Sequence, residues 1–160
     1  MTPGVVVRVA TAADAPALVE LRGVMFEGMG TPAAAIADPV WRRAAHDWFT
    51  DRVADPQARI VVAEAEGRVV SCAVGEVTSL IPGPNTVTGS VGLISNVATV
   101  AGHRGRGLAA ACTDDLLRWF VEQTDVRRVD LFATEAGARI YTRRGFTVRG
   151  FEAMVLPVSR

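Results

Sequence analysis

The chain has 160 residues, 49% of them hydrophobic, and a positive mean hydropathy, which predicts one folded domain over residues 1–160 and excludes a disordered chain. Lys+Arg and Asp+Glu both count 17, so the basic excess of a general nucleic-acid or membrane-surface binder is missing. All the basic residues are arginines, which excludes a P-loop lysine and a Schiff-base lysine.

The N-terminus, M-T-P-G-V-V-V-R-V, has no apolar stretch long enough for a signal peptide. Val5 to Val9 reads as a strand. Thr11 follows as a helix cap, with Asp14 three residues on as an imperfect capping box. Leu18, Leu21, Arg22 and Met25 keep helical spacing, and the helix fades at Gly28-Met29-Gly30. A loop through Thr31-Pro32 leads to a second helix, Pro39 to Ala54. Its Trp41, Ala45, Trp48, Phe49 and Arg52 share one face, and core packing is the expected use of both tryptophans. Arg59 to Ala65 and Arg68 to Leu80 form a hairpin about the Glu66-Gly67 turn. Pro82-Gly83-Pro84-Asn85 turns the chain, and Val87 to Val100 returns as a strand. A helix to Gln123, a strand Arg127 to Ala133 and a short helix Glu135 to Arg143 come next. Phe146 to Arg149 and Phe151 to Leu156, broken at Gly150, read as a final strand pair.

Cys72 and Cys112 lie in apolar contexts and read as small core residues in a reducing compartment. With His46 and His103 they offer no metal-ligand spacing. No apolar run approaches the roughly 18–20 residues of a membrane span. These features predict a soluble cytoplasmic protein with no metal, no nucleic-acid partner and no membrane partner.

The stretch V-A-T-V-A-G-H-R-G-R-G-L-A-A-A-C from Val97 to Cys112 is the most informative. It hands a strand to a helix through a glycine-rich basic turn. The first N–H groups of that helix lack intrahelical partners, and its dipole is positive there. Gly105 and Gly107 let an anion approach the backbone. An anion site and an ordinary solvated turn both fit these features alone.

The residues also carry a resemblance. Arg104-Gly105-Arg106-Gly107-Leu108-Ala109 is similar to the R/Q-x-x-G-x-G/A motif of the GCN5-related N-acetyltransferase (GNAT) superfamily. Asn96 to Val100 resembles the strand before that motif. Leu131-Phe132-Ala133-Thr134 and Tyr141-x-x-x-Gly145-Phe146 resemble the fifth strand and the tyrosine-bearing helix after it. The resemblance is strong over the second half and one of layout over the first. It implies a mixed α/β fold, with a twisted, mostly antiparallel central sheet of about six to seven strands and helices on both faces.

It also implies acetyl-CoA as co-substrate and an amine of a small molecule or peptide as acceptor, attacked directly without a covalent acetyl-enzyme. Val97, Ala98 and Thr99 would offer main-chain groups to the pantetheine arm, with an oxyanion donor near Val97. Arg104, Gly105, Arg106, Gly107, Leu108 and Ala109 would wrap the pyrophosphate, with the Arg106 side chain towards solvent. Thr134 stands where the family often has asparagine and would replace part of its pantetheine contact. Tyr141 is the expected acid, acting on the departing thiolate mainly by hydrogen bonding.

The base is less legible. Some members place a glutamate on the central strand where Leu93 stands. Glu27, at the bend of the first helix, is preferred here. Glu76, or Asp47, Ser95 or Asn96 through water, are the alternatives, and so is a water relay. Dimers are common in the family, which leaves a homodimer open.

Rival readings fit less well. Gly105-x-Gly107-x-x-Ala110 matches the dinucleotide pattern, but hairpins precede it and too little chain follows for a βαβαβ half. A P-loop lacks G-K-[ST]. An acetyl-CoA-binding sensor or an interaction domain of the same fold, without turnover, is the remaining alternative.

Overall fold

The structure is a computed structural model that describes residues 4–158. Five strands form one sheet in sequence order: β1 (Val5–Val9), β2 (Ala58–Ala65), β3 (Arg68–Ser79), β4 (Ser90–Thr99) and β5 (Val129–Leu131). β1 to β4 pair antiparallel, and β5 joins β4 in parallel. The helices are α1 (Ala15–Gly28), α2 (Ala33–Ala37), α3 (Pro39–Arg52), α4 (Leu108–Gln123) and α5 (Ala138–Thr142).

The sheet is covered on both faces. Along β2, Ile60 and Val62 pack with Leu18, Leu21 and Phe49 of α1 and α3. The alternate residues Val61 and Ala63 pack with Leu108, Cys112 and Leu116 of α4. Successive strand residues point to opposite faces. A strand buried on both must therefore be apolar throughout, which accounts for the I-V-V-A run. α4 sits close because the strands beneath it are bare at two points. A Cβ on Gly92 would lie 2.8 Å from the Phe120 ring, and one on Gly75 would lie 3.0 Å from Leu116.

The start of α1 is fixed as expected. Thr11 and Asp14 form a capping box on the single 3₁₀ turn Ala12–Asp14 that runs into α1, and Arg8 donates to both Asp14 oxygens at 2.8 and 2.9 Å. The hairpin between β2 and β3 turns at Glu66 and Gly67, both at positive φ.

Several expectations need correction. Residues 33–37 form a short helix where a loop was expected, held by the Trp41 Nε1–H donating to the Ala35 carbonyl at 2.8 Å. Trp48 is exposed rather than in the core, while Phe49 beside it is buried. β5 has three residues rather than seven, and Phe132 beyond it is 84% exposed. No strand forms over residues 146–158, so the described sheet has five strands rather than six or seven. Apolar residues there show strand propensity, but a strand also needs a partner edge. Among the described residues, no helix is long and apolar enough to cross a membrane.

Candidate active site

The site begins at a defect in β4. Cys72 pairs with Ala98 and Val74 with Ser95, so Asn96 and Val97 together face the single residue Ala73. This is a β-bulge, and Asn96 sits in it at φ +49°. Asparagine is among the few residues that tolerate the left-handed region. Three side chains hold the distortion. Arg22 of α1 donates from Nη1 to Asn96 Oδ1 at 3.1 Å. The Cys72 thiol donates to the Asn96 carbonyl at 3.3 Å. Ser71 Oγ donates to the Ala98 carbonyl at 2.9 Å and lies 2.8 Å from Thr99 Oγ1.

The bulge lies where β5 lets go. Pairing between β4 and β5 covers Gly92 to Ile94 against Val129 to Leu131 and then stops. From Ser95 to Thr99 the β5-side edge of β4 has no strand partner among the described residues. Main-chain groups of Val97, Ala98 and Thr99 are thus on a strand with one open edge. A linear ligand can extend a sheet along such an edge.

β4 leads into the basic turn. Residues 101–103 make one turn of 3₁₀ helix, and Arg104 Nε donates back to the Thr99 carbonyl at 3.1 Å. Arg104 therefore fastens the strand to the turn, while Arg106 is exposed. The Nδ1 of His103 is sealed without a partner. Gly107 is the N-cap of α4 at φ +76°, and Gly105 stands at φ +75°. A Cβ on either would meet nothing within 4 Å.

Among the described residues, the N–H groups from Gly105 through Ala110 donate to no backbone or side-chain acceptor. The first helical turn cannot satisfy its own donors, and here no side chain does so. Leu108 is buried and anchors the helix, while Ala109 is half-buried. The result is a run of unsatisfied donors at the positive end of a 16-residue helix, with residues 105–107 exposed. Such an arrangement accepts phosphate oxygens.

Tyr141 lies on α5 and is 8% exposed, its ring edge-on to Phe146 at 5.9 Å. Arg144 docks this helix on α4, donating to Asp114 Oδ2 at 2.7 Å and to the Ala110 carbonyl at 3.3 Å. The tyrosine is thereby tied to the same first turns of α4 that carry the free donors. Burial pushes its phenol pKa up, and Arg144 partly opposes the shift. The phenol is therefore a neutral donor at neutral pH. Thr134 is exposed, and its hydroxyl accepts from the Gly137 N–H at 3.2 Å, ahead of α5.

The candidate bases are dispersed. Glu27 is exposed on the last turn of α1 and lines a groove of about 510 Å³ with Gly23, Thr31, Ile36 and Arg42. It lies about 140° round the helix from Arg22, at roughly 100° per residue, so the two project differently. Glu76 on β3 lies directly opposite Leu93 and pairs with Arg52 of α3 at 3.3 Å. Asp47 is exposed beside His46, and Ser95 immediately precedes the bulge.

Arg22 was legible in sequence only as a member of a helical face. An arginine at a position spaced for burial was the available signal. The bulge also left a trace, an asparagine inside an apolar strand, where that residue is disfavoured.

The family model described as acetyltransferase (GNAT) family matches residues 22–146. The chain belongs to the GNAT acetyltransferase family. Its fold is similar to that of a GCN5-related N-acetyltransferase from Ralstonia eutropha JMP134, with a TM-score of 0.82 at 25% identity, covering 96% of this chain and 99% of that one. It is also similar to a predicted acetyltransferase with acetyl-CoA from Clostridium acetobutylicum, with a TM-score of 0.83 at 21% identity over 95% and 96% of the two chains. A glucosamine-6-phosphate N-acetyltransferase from Arabidopsis thaliana has a TM-score of 0.72 at 17% identity, over 95% and 97%. No curated protein matches the sequence. The GNAT match spans the bulge, the donor row and Tyr141.

Proposed function

We propose that this GNAT protein transfers the acetyl group of acetyl-CoA to a primary amine of a small molecule or peptide. The observation that carries the reading is the run of free N–H groups from Gly105 to Ala110, at the end of a bulged strand with an open edge. The pyrophosphate takes those donors. The pantetheine arm lies along Val97 to Thr99, with Thr134 at its far side. The Val97 N–H, released from the β3 ladder by the bulge, stabilises the charge developing on the thioester oxygen. One preorganised donor of this kind supplies about 3 kcal/mol.

Attack is direct. The two thiols, Cys72 and Cys112, are buried and pushed up to about 12 by desolvation. They stay protonated at neutral pH and make poor nucleophiles. Neutral Tyr141 donates a hydrogen bond to the departing thiolate. Full proton transfer from a phenol above its ordinary value of about 10 to a thiolate near 8.5 is uphill, so polarisation is its main contribution.

Two carboxylates compete for the amine proton. Glu27 stands exposed on the last turn of α1, in the groove it lines with Thr31 and Arg42. Glu76 has support from register: residues opposite each other in an antiparallel pair share a face, and its neighbour Leu93 stands where some relatives carry glutamate. That face is the one on which Asn96 meets Arg22.

The test is thiol release from acetyl-CoA over a panel of primary amines, alongside calorimetric binding. Amine-dependent release is expected. Tight acetyl-CoA binding with no turnover on any amine would replace the enzyme with a sensor of the same fold.

A further inference from the structure

Arg22 does more than its one visible contact requires. Its guanidinium has five N–H donors and stays charged at any working pH. One nitrogen holds Asn96 Oδ1 at 3.1 Å, and the plane rests over the Phe26 ring at 4.9 Å. No carboxylate lies within ion-pair distance among the described residues. The side chain is half-buried, and desolvation pulls its pKa below the usual arginine value. A partly desolvated charge without a counter-ion is costly, and folded proteins normally pair it. The other arginines packed against this region are paired: Arg42 with Glu20, and Arg52 with Asp55 and Glu76.

The remaining donors are within reach. None of the Arg22 nitrogens is both sealed from solvent and unpartnered. They stand on the α1 side of the bulge, where Arg22 holds Asn96, the residue before Val97. α4 and its donor row cover the opposite face of the sheet. An acetyl donor that arrives from α4 along the open edge of β4 presents its carbonyl at the bulge. An amine that meets it from the other face arrives beside Arg22.

We infer that Arg22 is the specificity residue for the acceptor, and that the acceptor is a primary amine bearing a carboxylate close to its amino group, such as a free amino acid or the end of a short peptide. The inference rests on the acetyltransferase reading above. A planar carboxylate matches the fork of a guanidinium. A single unpaired cation neutralises one negative charge, which favours a carboxylate over a phosphate dianion. No bond to Arg22 is made or broken in the reaction. Its two tasks are to anchor the carboxylate and to hold Asn96 in the bulge.

The experiment compares L-amino acids with their own carboxamides, and with amino phosphates as a third arm, by kcat/KM at saturating acetyl-CoA. The wild type is expected to prefer at least one acid over its amide by ten-fold or more. Arg22→Gln is expected to bring that ratio near one, on top of the fall in both rates that comes from loosening the bulge, while Arg22→Lys keeps part of it. Equal use of acid and amide by the wild type overturns the inference, and so does a preference for amino phosphates. If Arg22→Gln lowers both rates equally, the residue only supports the bulge and the inference fails.

If no amine is acetylated although acetyl-CoA binds, the enzymatic reading fails separately. The carboxylate site is then read from binding of the same amino acids and amides to the CoA-loaded protein. Acid-selective binding lost in Arg22→Gln supports the site, and no selectivity overturns it.

Discussion

Replacing Gly107 by aspartate separates charge from backbone strain at the phosphate cradle. Gly107 adopts φ +76°, a left-handed conformation that costs an L-residue about 1–2 kcal/mol. A Cβ there meets nothing within 4 Å, so no clash adds to that strain. Gly107→Ala should therefore fold, lose about 1 kcal/mol of stability, and bind acetyl-CoA within about ten-fold of the wild type. Gly107→Asp carries the same strain but puts a carboxylate within the run of free N–H groups over residues 105–110. Two unit charges about 4 Å apart at an effective dielectric near 20 repel by about 4 kcal/mol. Solvent around this exposed turn reduces the figure, and about 2–4 kcal/mol corresponds to roughly 30- to 1,000-fold in affinity. The aspartate also suits a helix N-terminus, so its stability should equal or exceed that of the alanine variant. Calorimetric titration with acetyl-CoA and thermal denaturation of both variants check the argument. Equal affinity losses in the two folded variants would show that conformation, not charge, governs the cradle. Unchanged affinity in Gly107→Asp would remove the pyrophosphate from this turn altogether.

Three other outcomes are expected. Tyr141→Phe lowers kcat at least ten-fold while acetyl-CoA affinity stays within about two-fold, because the phenol acts on the leaving thiolate rather than on ground-state binding; unchanged turnover ends its catalytic role. Glu76→Gln and Glu27→Gln are read side by side by kcat/KM, and the residue that serves as base loses about 100-fold or more; small losses in both leave the proton to water. Asp14→Asn reports on the cap of α1. Its carboxyl is held at about 2, against an ordinary 3.8, first by the hydrogen bonds from Arg8. The folded pKa is depressed, so the stabilisation is present above about pH 4 and lost as pH falls towards 2. The shift corresponds to about 2 kcal/mol, discounted to about 1–2 because Arg8 is a third exposed. Denaturant midpoints of the two proteins should differ at pH 7, draw together between about pH 4 and pH 2, and converge near pH 1, below both pKa values; an undiminished gap at about pH 1 would assign the effect to packing.

What could be read without coordinates was what local chemistry specifies. Glycines mark the stop after α1 at Gly30, the turn at Gly67 and the cap at Gly107, because each stands at a positive φ that few other residues adopt. The motif from Arg104 to Ala109 was legible for the same reason. Its free groups are main-chain donors, set by where glycines and a helix start fall rather than by distant partners.

The failures are non-local. Residues 146–149 and 151–156 look like strands in isolation, but pairing depends on an available edge, and no register is written into an apolar run. α2 escaped notice because five residues are too short to display a period. The bulge belongs to both classes. Asn96 supplies the local tolerance for a left-handed residue, but its conformation is held by Arg22, 74 positions away, and by Cys72 on the neighbouring strand. The α1 face of the bulge is assembled from such long-range contacts. Arg22, Glu76 and Asn96 come from three separate elements and meet on one face only when α1 settles on β3 and β4. The free donors from Gly105 to Ala110 are therefore readable from a continuous stretch of chain, whereas the bulge is specified by the fold, and Asn96 in an apolar strand and an arginine on the packed face of α1 are the traces of it in the sequence.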